Sequence, residues 1–170
     1  AGGQLLALAG RLRNALPALA GLPGASMPAG VQACEIACSD LADYISSKLV
    51  FYELEAPLLR LYVPSPATPA ARLAPVLRQL QPRLQTIAAS AAPRWTPQLA
   101  IGILGRVALA MAAVLDLPGR AISPADKPAL HDDIEALIAF FVRTFVMDEL
   151  LVRQSVMFLF MLADSRCDGE

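Results

Sequence analysis

Three hydroxyl–proline pairs, Thr68-Pro69, Thr96-Pro97 and Ser123-Pro124, constrain this chain most. In each pair the hydroxyl can accept a free backbone N–H at a helix N-cap. The proline at N1 lacks the N–H that would be orphaned there anyway. Ser123 is followed by Asp126 at N3, close to a capping box. These signals cut the chain into helical blocks of ordinary length.

The first block spans 4–20, with Pro17 weakening its end, and Gly21-Leu22-Pro23-Gly24 forms a loop after it. The second spans 29–63, with Ile36, Leu41, Ile45, Leu49 and Tyr52 at helical spacing; Pro57 should kink or break it. A stiff proline-rich connector covers 64–69. The third block, 69–91, carries Leu73, Val76, Leu77, Leu80, Leu84 and Ile87, a stripe that should face Leu99, Ile103, Ile134 and Ile138. Pro82 should bend it. The fourth, 97–117, is apolar nearly all round, as a central helix would be. The fifth, 124–142, places Leu130, Ile134, Leu137, Ile138 and Phe141 on one face. The sixth, 145–164, carries Leu150, Leu151, Phe158, Leu159 and Leu162. Strand alternation is not sustained anywhere, and no internal repeat of fixed period is visible. The expected fold is all-α, an antiparallel helical bundle, with an N-terminal helix and loop over 1–28 and the bundle over 29–165.

Hydrophobic residues make up 56% and charged residues 17% of the 170, against a usual 45–50% and about 25%. Either the helices are buried on more than one side, or the segment packs against neighbours outside it. Because the chain begins at Ala1, it reads as a fragment of a longer protein. A net charge of -1 leaves no basic excess to neutralise phosphates, so nucleic-acid binding is not expected. No signal peptide is legible. Arg106 interrupts the most apolar run, Leu99 to Leu117, which argues for a buried helix rather than a membrane span.

No catalytic, cofactor-binding or metal-binding residue can be named. His131, the only histidine, stands one helical turn from Glu135, but a metal needs three or four ligands and no second cluster follows. Asp132, Asp133 and Glu135 read as early-helix acids favoured by the helix dipole. Cys34 and Cys38, one turn apart, and Cys167 read as buried reduced thiols. Gly102 and Gly105 should let another helix approach closely. Arg106 needs solvent or a carboxylate, for which the Asp132/Asp133/Glu135 cluster is a candidate. The chain is expected not to be an enzyme.

Three passages also resemble a known family, one of them Arg72-Leu73 through Ile87, which follows a family helix. Tyr44-Ile45-Ser46-Ser47-Lys48, then Phe51-Tyr52-Glu53-Leu54 and Leu61-Tyr62, are similar to one family helix. Val114-Leu115-Asp116, Arg120, Ser123, Asp126, Asp132-Asp133-Ile134 and the apolar run Leu137 to Phe141 follow a later passage. The family is the MUN-domain (Munc-type) vesicle priming and tethering proteins, plant-type branch, in the second Munc homology domain. The resemblance implies one segment of an elongated helical rod, cytoplasmic and peripheral at vesicle or plasma membrane, active in exocytosis. It implies SNARE or tethering proteins and the remainder of the parent chain as partners, with membrane association through other regions and no cofactor. It places no contact residues, so binding residues remain unknown. A generic helical scaffold or oligomerisation module is the alternative.

Overall fold

The computed structural model describes residues 27–62, 69–91, 95–118 and 122–168. The block expected over 4–20, most of the N-terminal unit over 1–28, and Thr68 lie outside the described residues. Six α-helices follow in order: α1 Met27–Lys48, α2 Glu55–Leu59, α3 Pro69–Ser90, α4 Thr96–Leu115, α5 Lys127–Phe145 and α6 Glu149–Asp168. No β-strand occurs among the described residues, and the fold is the expected all-α bundle.

Helix α4 is central because it can bury most of its circumference. Leu99, Ile103, Leu104, Val107, Met111 and Val114 are all buried on it. Among the described helices it alone is long and apolar enough to cross a membrane, and its apolar surface is accounted for by burial against α1, α5 and α6. The fifth-block stripe is buried as expected, at Leu130, Ile134, Leu137, Ile138 and Phe141. The α3 stripe is buried at Leu73, Val76, Leu80 and Leu84, with Leu77 and Ile87 half-buried. It packs chiefly on α5 and only lightly on α4.

Pro57 does not sit at the break itself. After α1 the chain makes a π-helical turn, Leu49–Glu53, with Leu54 N–H donating to Leu49 O at 3.1 Å. Leu54 then leaves helical geometry, and α2 carries Pro57 inside its single turn. Helix α3 runs unbroken through Pro75 and Pro82. Both prolines are exposed, so the missing N–H groups fall where water reaches the freed carbonyls.

The capping signals fare differently. Ser123 and Asp126 close a reciprocal capping box, Ser123 N–H donating to Asp126 Oδ2 at 2.9 Å, on a 3-10 turn, Pro124–Asp126, that leads into α5. Thr96 is the first helical residue of α4 rather than its flanking cap, a shift of one position. Helix α6 starts four residues later than expected. The turn before it uses Val146 in the left-handed region, φ 52°, and Asp148 as cap, accepting Leu150 N–H at 2.7 Å and Leu151 N–H at 3.3 Å.

Candidate functional site

The residues singled out for chemistry are dispersed by the fold. His131 Nε2 lies 2.8 Å from Asp164 Oδ1 on α6, with its ring edge-on to Phe160, and it does not pair with Glu135. Glu135 instead takes a two-pronged bond from Arg153, whose Nη2 also reaches Glu149 at 3.2 Å. Arg106 reaches Asp43 on α1 at 3.4 Å rather than the Asp132/Asp133/Glu135 cluster; α4 turns that face toward α1, not α5. Cys38 and Cys167 are buried thiols, and Cys34 lies on α1. Gly102 does admit a helix, since a Cβ there would meet Ser46 Oγ of α1 at 3.2 Å; Gly105 has open space beside it. Among the described residues no group of three or more His, Cys, Asp or Glu side chains is placed to hold a metal ion.

One of the expected dipole acids has another role. Asp133, 1% exposed, accepts a bond from Arg72 Nε at 3.1 Å and thereby ties α3 to α5. The Arg72 guanidinium also lies 5.9 Å from the Tyr62 ring centroid. Burial pushes the Asp133 carboxyl up to about 6, with Arg72 drawing it part of the way back. Burial likewise raises the Tyr62 phenol. Asp133 Oδ1 and an Arg72 nitrogen are buried with no hydrogen-bond partner. Such a pair fixes register between helices at a cost in desolvation. Asp132 beside it adds to the upward push on its carboxyl.

Two exposed faces are apolar. On α6 the core side is Val152, Val156, Leu159, Ala163 and Cys167, spaced by three or four residues and fully buried. Of the five apolar residues read from the sequence on this helix, Leu159 belongs to that side and Leu162 packs half-buried against the core. Leu150 (63% exposed), Leu151, Met157, Phe158 and Met161 (68% exposed) lie on the opposite side. The larger residues dominated the sequence pattern, but the smaller Val and Ala positions let α6 approach α4 and α5. A second exposed apolar strip runs along α1 and its π turn, with Ile36, Tyr44, Phe51 and Tyr52 outward. Of the positions at helical spacing in this block, Leu41, Ile45 and Leu49 pack on the core, and Ile36 and Tyr52 do not. The groove between α1 and α4, about 430 Å³, is open and mixed in character, lined by Glu35, Asp43, Ser46 and Gln98 together with Trp95 and Ile101.

The passages that resemble MUN-domain proteins fall on α1 to α2, on α3 and on α4 to α5. No curated protein and no solved structure is similar enough to match the chain. No MUN-domain model matches either, and the assignment to the second Munc homology domain is corrected accordingly. The model that does match, over residues 23–156, is described as PATROL1-like, TPR repeats; PATROL1 is a plant protein related to the MUN-domain group. That match covers α1 through α5 and the first turns of α6, and the chain belongs to the PATROL1-like TPR-repeat family.

Proposed function

We propose that this chain is a helical-repeat scaffold that acts by presenting apolar helix faces to other helices and carries out no chemistry of its own. The observation that carries it is the two-sided apolar character of α6. Val152, Val156 and Leu159 point into the core, while Leu150, Leu151, Met157, Phe158 and Met161 face outward with no charged residue among them. Repeat proteins bury such faces against a neighbouring helical unit, because each unit contacts only its neighbours. Membership of a TPR-repeat family supports the same mode of action, in which an amphipathic helix lays its apolar face on another helical surface. The test measures self-association by sedimentation and binding of a fluorescent amphipathic helical peptide by anisotropy. Engagement of either a second copy or the peptide is expected. A monomer that binds neither at about 100 μM, where even weak specific interfaces are populated, would overturn the proposal.

A second reading rests on PATROL1 being a plant protein related to the MUN-domain group. In it the chain is a segment of a cytoplasmic vesicle tethering or priming factor, peripheral at a membrane, and its partners are SNARE or tethering proteins. A pull-down of the parent protein against cytosolic SNARE domains tests it. Retention of a SNARE supports it, and loss of every SNARE and tether in favour of self-association alone counts against it.

A further inference from the structure

We propose that the groove between α3 and α5 is a docking site for an acidic peptide segment of a partner protein, with Arg143 taking a carboxylate and Phe140 the apolar side chain next to it. The site goes beyond the apolar-face reading and does not rest on it. Helix α3 does not touch α6; both pack on α5. The groove measures about 470 Å³ and is lined by Gln81 and Gln85 of α3 and by Phe140, Arg143 and Thr144 of α5. No acid occurs anywhere in the 22 residues of α3. Gln81 and Gln85 stand one helical turn apart, and Arg78 extends their stripe by a further turn toward the start of the helix.

The polar groups of this groove are idle where their counterparts elsewhere are engaged. Ser46, Thr86 and Ser155 each donate their hydroxyl to a carbonyl of their own helix. Thr144 makes no such bond with any described residue, and neither do the amides of Gln81 and Gln85. Arg72, Arg83, Arg106, Arg153 and Arg166 each hold a carboxylate. Arg143 holds none among the described residues. Its Nε donates to the carbonyl of Ala139 at 3.0 Å, which fixes the guanidinium and leaves both terminal Nη groups to a ligand. Arg78 is tied in the same way to the carbonyl of Ala74, at 3.4 Å. A guanidinium offered through its two Nη groups matches the two oxygens of one carboxylate. Phe140 is half-buried and set edge-on to Phe141, with ring centroids 5.7 Å apart, so it forms a fixed apolar wall beside that donor set. The number of cations selects the class of ligand. An anionic bilayer calls for a cluster of about four to eight Lys or Arg, and a nucleic-acid backbone for a row of phosphate contacts. Two guanidinium groups, two amides and a hydroxyl around one ring suit one or two carboxylates on a peptide.

Fluorescence anisotropy of the 170-residue chain with a short labelled peptide of Glu and Gly around one central Leu tests the proposal. Binding with a dissociation constant on the order of 100 μM is expected, as a small contact area allows, and it should weaken as salt rises. Arg143→Gln should weaken it about tenfold or more, the worth of a charge-assisted bond, with an unchanged circular dichroism spectrum. Arg78→Gln is a second variant on the other helix and should weaken it by a smaller factor. The same peptide with Gln in place of Glu should not bind. No binding at about 1 mM, equal binding of the Gln peptide, or binding indifferent to Arg143→Gln each overturns the proposal. So does retention on phosphatidylserine vesicles or on a single-stranded oligonucleotide that Arg143→Gln abolishes while the Glu peptide fails to bind, since the groove would then take phosphate and not carboxylate. A chain that self-associates or binds the apolar helical peptide but not the acidic one overturns this site alone. A chain that binds only the acidic peptide overturns the apolar-face reading and leaves this site standing.

Discussion

Gln79 on α3 donates its side-chain amide to the carbonyl of Glu53 at 2.6 Å, the carbonyl that Pro57, four residues on, has no N–H to reach. Glu53 is gripped a second time by Arg83, at 2.9 Å. Helix α3 thus completes the irregular π turn and α2 from outside, supplying the bond that the proline withholds.

Gln79→Ala should therefore destabilise the fold by about 0.5–1.5 kcal/mol, the net worth of one such bond. Urea denaturation checks this, and the proline supplies the control. In a Pro57→Ala background the helix can make its own bond, so the cost of Gln79→Ala should shrink. An equal cost in both backgrounds would show that Gln79 acts elsewhere.

Val146 is β-branched, 93% exposed and left-handed at φ 52°, a conformation that costs roughly 1–2 kcal/mol for an L-residue. Val146→Gly removes that strain and loses no buried surface, while adding freedom to the unfolded chain. A net gain of about 0.5–1 kcal/mol is expected, read as a higher thermal midpoint. A lower midpoint would mean that Val146 makes a contact worth more than its strain.

That turn also shows where the sequence stops being legible. Block three, the central α4 and the α5 stripe could be read directly, because Leu80, Ile103, Leu137 and Phe141 repeat at a helical period and are buried as that period implies. The α5–α6 junction could not be read, because a valine stands where a glycine would have marked the left-handed residue. Asp148 was available as a cap signal, but the apolar run beginning at Phe145 masked it. The core face of α6 could not be singled out, because Val152, Val156 and Ala163 are smaller than the Leu, Met and Phe on the outside. A size-weighted pattern points to the wrong side of a helix that is apolar on both. The Arg72–Asp133 pair was also hidden, since an acid early in a helix has an ordinary surface explanation and its partner is 61 residues away.

Leu80 is fully buried between α3 and its neighbours. Leu80→Ala should cost about 2–5 kcal/mol, and Leu80→Asp should leave little folded protein, since an unpaired buried carboxylate costs a large share of a domain's stability. Chemical denaturation of the alanine variant and the soluble yield of the aspartate variant check this. An unchanged midpoint for both would remove Leu80 from the core.

Asp133 gives a pH dependence of unusual sign. Burial pushes its native carboxyl up to about 6, above the ordinary aspartate range, so the folded state binds its proton more readily than the unfolded state does. The contribution is fully present below the unfolded value and is lost as pH rises through the native one. Wild type should therefore gain stability relative to Asp133→Asn as pH falls from about 7 toward 4. Asp126 and Asp164 are lowered instead, by Ser123 and by Lys127 with His131 respectively. They pull the other way only in stronger acid. Denaturation of both proteins across this range checks the sign; a gap that is flat or widens with rising pH contradicts it.

Hydrogen–deuterium exchange of the 170-residue chain at two concentrations tests the scaffold role most directly. Raising the concentration about a hundredfold, from well below to well above a micromolar dissociation constant, or adding an amphipathic helical peptide, should slow exchange in α6 over residues 150–161, while the buried α4 amides keep their rates. Exchange that is independent of concentration in α6, with no further slowing when an amphipathic helical peptide is added, would contradict the claim that this chain works by offering that face to another helix.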